Sequence, residues 1–284
     1  MNAVVTVALH ALQEAFRRRV FTVVVVLTVT FLGLFWLGVD TAFDEARRFR
    51  AASELLEVDV AVGATLLGLA MFAILFLGTV LGVFLTLGAV RGDAERGLLQ
   101  PLVVRPIGRS AYLLARFLGA ATVCTVYVVA VFACAVVIVV VAGGWRPDQV
   151  AAPAIELAAA VVLLCALSLL GSVFLSATAN GIAVFMLFGA GLTGGLLGQV
   201  GEALGSDTLV DVGRRTSYAL PFEALYQDGL HRLTSETFGA AAFVVRLGPF
   251  GSAEEAGPAL PAWVLLYLAL IALTAGAAFA RRDL

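Results

Sequence analysis

Six long apolar runs constrain this chain more than any other feature. A hydrocarbon slab roughly 30 Å thick is crossed by a helix of about 20 apolar residues, rising about 1.5 Å per residue. The runs at 20–39, 64–90, 112–142, 154–176, 181–200 and 261–280 all reach that length. The second and third exceed it enough to tilt or to project beyond the slab. Of 284 residues, 61% are hydrophobic and 13% charged. The mean hydropathy is +1.02. A soluble domain of this size needs more polar surface than that. The sequence therefore predicts an all-α membrane protein with six transmembrane helices in a single domain spanning 1–284. The first run follows Arg17–Arg19 but is too long for a signal-peptide core and ends without a small-residue cleavage site, so it reads as a retained span.

Residues 1–19 have a different pattern. Val4, Val7, Ala8, Ala11, Leu12, Ala15 and Phe16 recur at helical spacing, with His10, Gln13, Glu14 and Arg17 between them. This predicts an amphipathic interfacial helix, or else a cytoplasmic extension of the first span. Arginine distribution gives orientation. Arg17–Arg19, five Arg within 91–116, and Arg281 and Arg282 share one side if the N-terminus is cytoplasmic. Segments 40–60, 143–152 and 201–260 then lie outside, and the last carries eight acids from Glu202 to Glu255. The short loops favour both termini in the cytoplasm of a cell whose inner membrane holds the chain, although Arg47, Arg48 and Arg50 run against that trend. The 201–260 segment is punctuated by Gly and Pro, and Pro221 to Arg232 reads as a short helix opened by proline. Phe238 to Val245 is apolar enough to touch lipid or a neighbouring helix.

Several chemistries are missing. All 18 basic residues are Arg, so a phosphate-binding loop requiring Lys is impossible here. The chain itself is not read as an enzyme, and ATP hydrolysis needs a partner. The apolar runs hold almost no ionisable groups, which disfavours ion coupling. Glu156, near one end of the fourth run, reads as interfacial. His10 and His231 lie outside the runs, so Ser168 and Ser172 have no base at membrane depth. Cys124, Cys134 and Cys165 form no C-x-x-C and read as small hydrophobes. With three Met in all, a copper path is rejected and no metal site is expected. A net charge of −2 gives no reason to expect nucleic acid.

The densest information lies between the second and third runs. Arg91 to Ser110 is basic, with Leu98, Leu99, Leu102, Val103 and Val104 arranged for a short surface helix. Arg105-Pro106 would end that helix, and Ser110 would cap the third span. On residues alone, a partner-binding helix and a plain basic loop that anchors topology are equally open.

This stretch resembles the motif of type-2 ABC exporter permeases, a family that includes the nitrous-oxide-reductase maturation permease. Glu95, Gly97, Leu99, Pro106, Ile107, Arg109, Tyr112, Leu113, Leu114 and Gly119 fit the family pattern. Leu98 stands where Thr is usual, Gln100 where an acid is common, Gly108 for Ser and Arg116 for Lys, and Pro101 interrupts the helix. The resemblance implies a coupling segment at 91–111 that docks in a groove of a separate ATPase. Two ATPase copies, holding ATP and Mg, would drive two permeases, either identical or homologous. Leu98, Leu99 and Leu102 would insert into the groove near Gly97 and Pro106, while Glu95, Arg96, Arg105 and Arg109 pair at its rim. Gly78/Gly82, Gly191/Gly195 and Gly194/Gly198 would let helices approach closely, between permeases or within one chain. Spans two and five would line the path, offering Thr79, Thr86 and Thr193 to an amphipathic or lipid-like substrate. A polytopic anchor or assembly protein without a path, and a carrier or channel independent of ATP, are the competing readings.

Overall fold

The computed structural model describes residues 19–50, 58–87, 109–147, 149–234 and 256–281. The interfacial helix expected at 1–18 and the coupling segment at 88–108 lie outside the described residues. All regular structure among the described residues is helical: α1 (Arg19–Arg50), α2 (Val58–Thr86), α3 (Arg109–Ile138, ending in a π turn at Val139–Gly143), α4 (Ala151–Phe174), α5 (Ala177–Leu204), α6 (Asp207–Ala219), α7 (Pro221–Thr234) and α8 (Leu260–Ala280). Six of these, α1 to α5 and α8, are long and apolar enough to cross a membrane. The near side is taken here as the one where the chain enters α1. The far side is where α1 ends.

The helices outrun the apolar runs where polar residues find partners. α1 continues eleven residues past Val39 to Arg50. Asp44 and Arg47 form an (i, i+3) pair at 3.3 Å, and an Arg47 Nη donates to the Ala142 carbonyl at 3.3 Å. Phe43 is fully buried and lies against Gly143. The extension is thus a packed strut, and no Gly or Pro interrupts it. At the same end Gly144 takes the left-handed conformation (φ 77) and closes α3 through its N–H to the Val140 carbonyl, 3.2 Å away.

α4 is the central helix and touches α2, α3, α5, α7 and α8. Small residues let its neighbours approach: Ala154, Ala158, Ala160, Ala166, Ser168 and Ser172 are all buried on it. On the near side a run of hydroxyl and amide bonds crosses three helices. The Thr86 hydroxyl donates to Ser168 Oγ at 2.7 Å. Asn180 Nδ2 donates to the Ser168 carbonyl at 2.8 Å, which ties the start of α5 to α4. Such bonds replace the water that hydrocarbon cannot supply.

α6 and α7 have no counterpart among the apolar runs. Gly205 (φ 64) ends α5, with Gly205 N–H to the Glu202 carbonyl at 3.2 Å and Ser206 N–H to the Gly201 carbonyl at 2.8 Å. That pair of bonds reverses the chain. α6 then runs back along α5 over a stripe of glycines. Leu209 and Val210 cover Gly201, Gly213 lies against Gly198, and Thr216 covers Gly194. Pro221 opens α7, and Phe222 sits on Gly191 and stacks on Phe188 at 5.8 Å. Gly191 is thirteen residues from the end of α5, about 20 Å along its axis. Helices of 13 and 14 residues span only about 20 Å each, less than the membrane core. The pair is therefore a non-crossing hairpin that runs back alongside α5 and returns to the far side.

A Cβ on Gly213 would sit 2.6 Å from Gly198 Cα. Gly213→Val should therefore destabilise the purified protein by about 1–3 kcal/mol, the usual cost of overpacking. Gly33→Ala, where nothing lies within 4 Å, should leave the melting temperature unchanged or slightly raised. Thermal unfolding in detergent reads both.

Candidate functional site

The hairpin carries two buried acids, Glu223 and Asp228, against the bundle. Glu223 occupies the first turn of α7, where the positive end of the helix favours an acid. It is 1% exposed and lies over Gly195, where a Cβ would collide with its carboxylate. The Ser217 hydroxyl, from the last turn of α6, donates to Glu223 Oε2. Burial pushes the Glu223 carboxyl above the ordinary range, and hydrogen bonds from Ser217 and Gln227 oppose that shift. Tyr226, one turn on, is also buried. Burial raises its phenol, and the charge of Glu223 adds to the effect.

A second polar group ties the hairpin to the centre of the bundle. Arg232 Nε approaches Glu156 Oε1 of α4 at 2.8 Å. The same guanidinium reaches Asp228 Oδ2 at 3.0 Å. Asp228 Oδ1 accepts the Ala256 N–H at 2.9 Å. One guanidinium therefore joins α7 to α4, and one carboxylate joins α7 to the segment leading into α8. Gly229 lets α7 approach Met71 and Pro153. The aromatic residues of α8 complete the anchorage. Trp263 Nε1 donates to the Tyr218 carbonyl at 3.1 Å and the Tyr267 hydroxyl to the Ala219 carbonyl at 2.9 Å. These are carbonyls at the end of α6 that have no partner inside the helix.

Between the end of α5, α6, α7 and the start of α8 lies a cleft of about 370 Å³. A second crevice of about 250 Å³ opens near the other side between α3, α4 and α8, with an almost wholly apolar lining that includes Leu113, Phe117, Leu169 and Gly276.

The residues singled out by sequence are dispersed. Glu95, Arg96, Gly97, Leu98, Leu99, Leu102, Arg105 and Pro106 lie outside the described residues, and Arg109 is the first residue of α3. The ends they join, Thr86 and Arg109, both face the near side. Thr79 is buried and donates to the Leu75 carbonyl at 2.6 Å. Thr86 is buried against Ser168. Thr193 is on an exposed face of α5 and donates to the Gly189 carbonyl at 2.8 Å. The three hydroxyls do not converge within one chain. Gly78 receives Val128 and Val161, and Gly82 receives Cys124 and Cys165. Gly191 and Gly195 receive Phe222 and Glu223 of the hairpin.

Sequence reasoning did not single out Glu223, Asp228 and Arg232. One signal was available: Glu223, Tyr226 and Gln227 share a helical face of the 221–232 stretch, and α5 offers a glycine stripe of matching length.

The family model described as ABC-2 family transporter protein matches residues 5–284. Comparison with curated proteins gives no match.

Because the folded chain holds the Glu223 proton more tightly than the unfolded chain does, this group makes stability greatest in acid. The contribution is lost as pH rises from the ordinary Glu value through the raised one. Glu223→Gln keeps the shape of the neutral acid, so the melting temperature of the variant relative to the parent should rise with pH across that window. Arg232→Ala should lower stability by on the order of 1 kcal/mol, since the guanidinium is partly exposed and screened.

Proposed function

Because this chain belongs to the ABC-2 family of transporter proteins, and so is a multi-pass membrane permease that works with a separate ABC ATPase, we propose that it is the permease of an exporter coupled through segment 91–111. The family match over residues 5–284 carries this reading. The match is to the ABC-2 family as a whole and does not single out the nitrous-oxide-reductase maturation permease.

The coupling proposal rests on the sequence between α2 and α3. That segment joins two helix ends on the near side, where Arg17–Arg19, Arg281 and Arg282 also lie in the chain order. Arginine excess on one side marks it as cytoplasmic, which puts the hairpin and its cleft outside the cell. Leu98, Leu99 and Leu102 then supply the apolar centre of an ATPase contact, with Glu95, Arg96, Arg105 and Arg109 at its rim. Two ATPases, each holding ATP and Mg, act on two permeases in the inner membrane.

The substrate proposal rests on the scarcity of charge along the spans. Thr79 and Thr86 are enclosed against neighbouring helices in this conformation, so α5 and its exposed Thr193 offer the outward-facing hydroxyl. An apolar path with few hydroxyls suits an amphipathic or lipid-like molecule.

Co-purification with a P-loop ATPase encoded beside this chain tests the coupling. The unaltered chain should yield a complex that hydrolyses ATP. Leu98→Asp together with Leu99→Asp should weaken association about thirtyfold or more, the scale of a lost interface hot spot. Glu95→Arg should abolish transport with membrane insertion intact. Association that ignores these changes moves the anchor reading to the front.

A further inference from the structure

The cleft beside the hairpin has the chemistry of a ligand site, and its charge selects the ligand. Its volume of about 370 Å³ falls within the range of pockets that hold small organic molecules. Gly198 and Gly213 on one wall, and Ala256, Gly257 and Ala259 leading into α8, keep it open by lacking bulk. Trp263 supplies an aromatic wall, fixed in place by its hydrogen bond to the Tyr218 carbonyl.

Ser217 and Tyr218 also line this space, the Ser217 hydroxyl already donating to Glu223, and the acceptor-only groups are two acids. Glu223 forms part of the lining at the base, and Glu202 stands on the last turn of α5. Gln227 also lines the cleft, and its Oε1 is buried with no hydrogen-bond partner among the described residues. A buried acceptor without a partner costs free energy until a donor arrives. Arg214 is the one cation among the lining residues, and it pairs with Asp211 at 3.6 Å on the exposed face of α6. Two carboxylates, one unmatched amide oxygen and an indole face together call for a cation that also donates N–H bonds and carries an apolar body.

We propose that this cleft binds a protonated primary or secondary amine with an aromatic or alkyl tail. The ammonium reaches Glu223 and Gln227 at the base, and the tail lies along Trp263. An anion meets two carboxylates and is rejected. A quaternary ammonium keeps the charge and the aromatic contact but has no N–H for Gln227, so it binds more weakly. The site belongs to the permease alone and requires no ATPase, so its existence is independent of the coupling reading.

The test is titration of the purified full chain in detergent with phenylbutylamine at neutral pH, read by calorimetry and by tryptophan fluorescence. Phenylbutyltrimethylammonium and phenylbutyrate serve as comparisons. Saturable amine binding is expected, weaker by about tenfold for the quaternary analogue and undetectable for the carboxylate. Glu223→Gln should weaken the amine by about ten- to a hundredfold, the scale of one charge-assisted hydrogen bond. Because that change also touches the hairpin, Glu202→Gln at the exposed rim provides a second reading and should weaken binding severalfold with the melting temperature unchanged. Trp263→Phe should remove the fluorescence response. Equal binding of amine and carboxylate, or amine binding that survives both glutamate changes, overturns the proposal.

Discussion

Hydrocarbon offers a peptide group no hydrogen-bond partner, and the rest of this structure depends on that constraint. An N–H or C=O left unpaired in the bilayer core costs several kcal/mol, so each crossing segment must satisfy its own backbone. Six helices do so. The non-crossing hairpin packs on the bundle along α5 and leaves the charged face of α6 exposed. The glycine stripe lets the backbone of α6 lie against that of α5, and Trp263 and Tyr267 pair with carbonyls at the turn between α6 and α7.

The hairpin adds buried acids to spans whose buried polar groups are mostly neutral. Glu223 and Tyr226 enter from a segment whose own composition is barely hydrophobic. Glu156 is half-enclosed by the returning α7, and its partner Arg232 comes from the hairpin. The bundle thus separates two tasks. Apolar helices around α4 provide insertion and packing, and the hairpin provides charge and a latch at the far side. The near side, with the Thr86–Ser168–Asn180 run, is joined by weaker neutral bonds.

The spans were legible because a run of twenty apolar residues has few alternatives. Their ends were less legible. The extension of α1 beyond Asp40 depends on Phe43 meeting Gly143 and Arg47 meeting Ala142, contacts more than ninety residues apart in the chain. The glycine pairs were visible as close-approach positions, but sequence left open whether the neighbour was another permease or the same chain. Gly191 and Gly195 receive a hairpin whose second helix is announced by Pro221 and the pattern to Arg232, whereas α6 and its return along α5 have no apolar run to signal them. Thr79 and Thr86 looked available because a hydroxyl in a span reads the same whether it faces a path or a neighbouring helix. Only packing separates those cases. For residues 95–106 the sequence offers a resemblance to a family motif and nothing more, and they lie outside the described residues.

Cross-linking in native membranes tests the central claim most directly. With Cys124, Cys134 and Cys165 replaced, a single cysteine is placed at position 99 or at position 202, and the membranes are treated with a short bifunctional reagent in the presence of the ATPase encoded nearby. The account predicts an adduct with the ATPase from position 99 and none from position 202. An adduct from position 202, or none from position 99 while the two proteins co-purify, would contradict it.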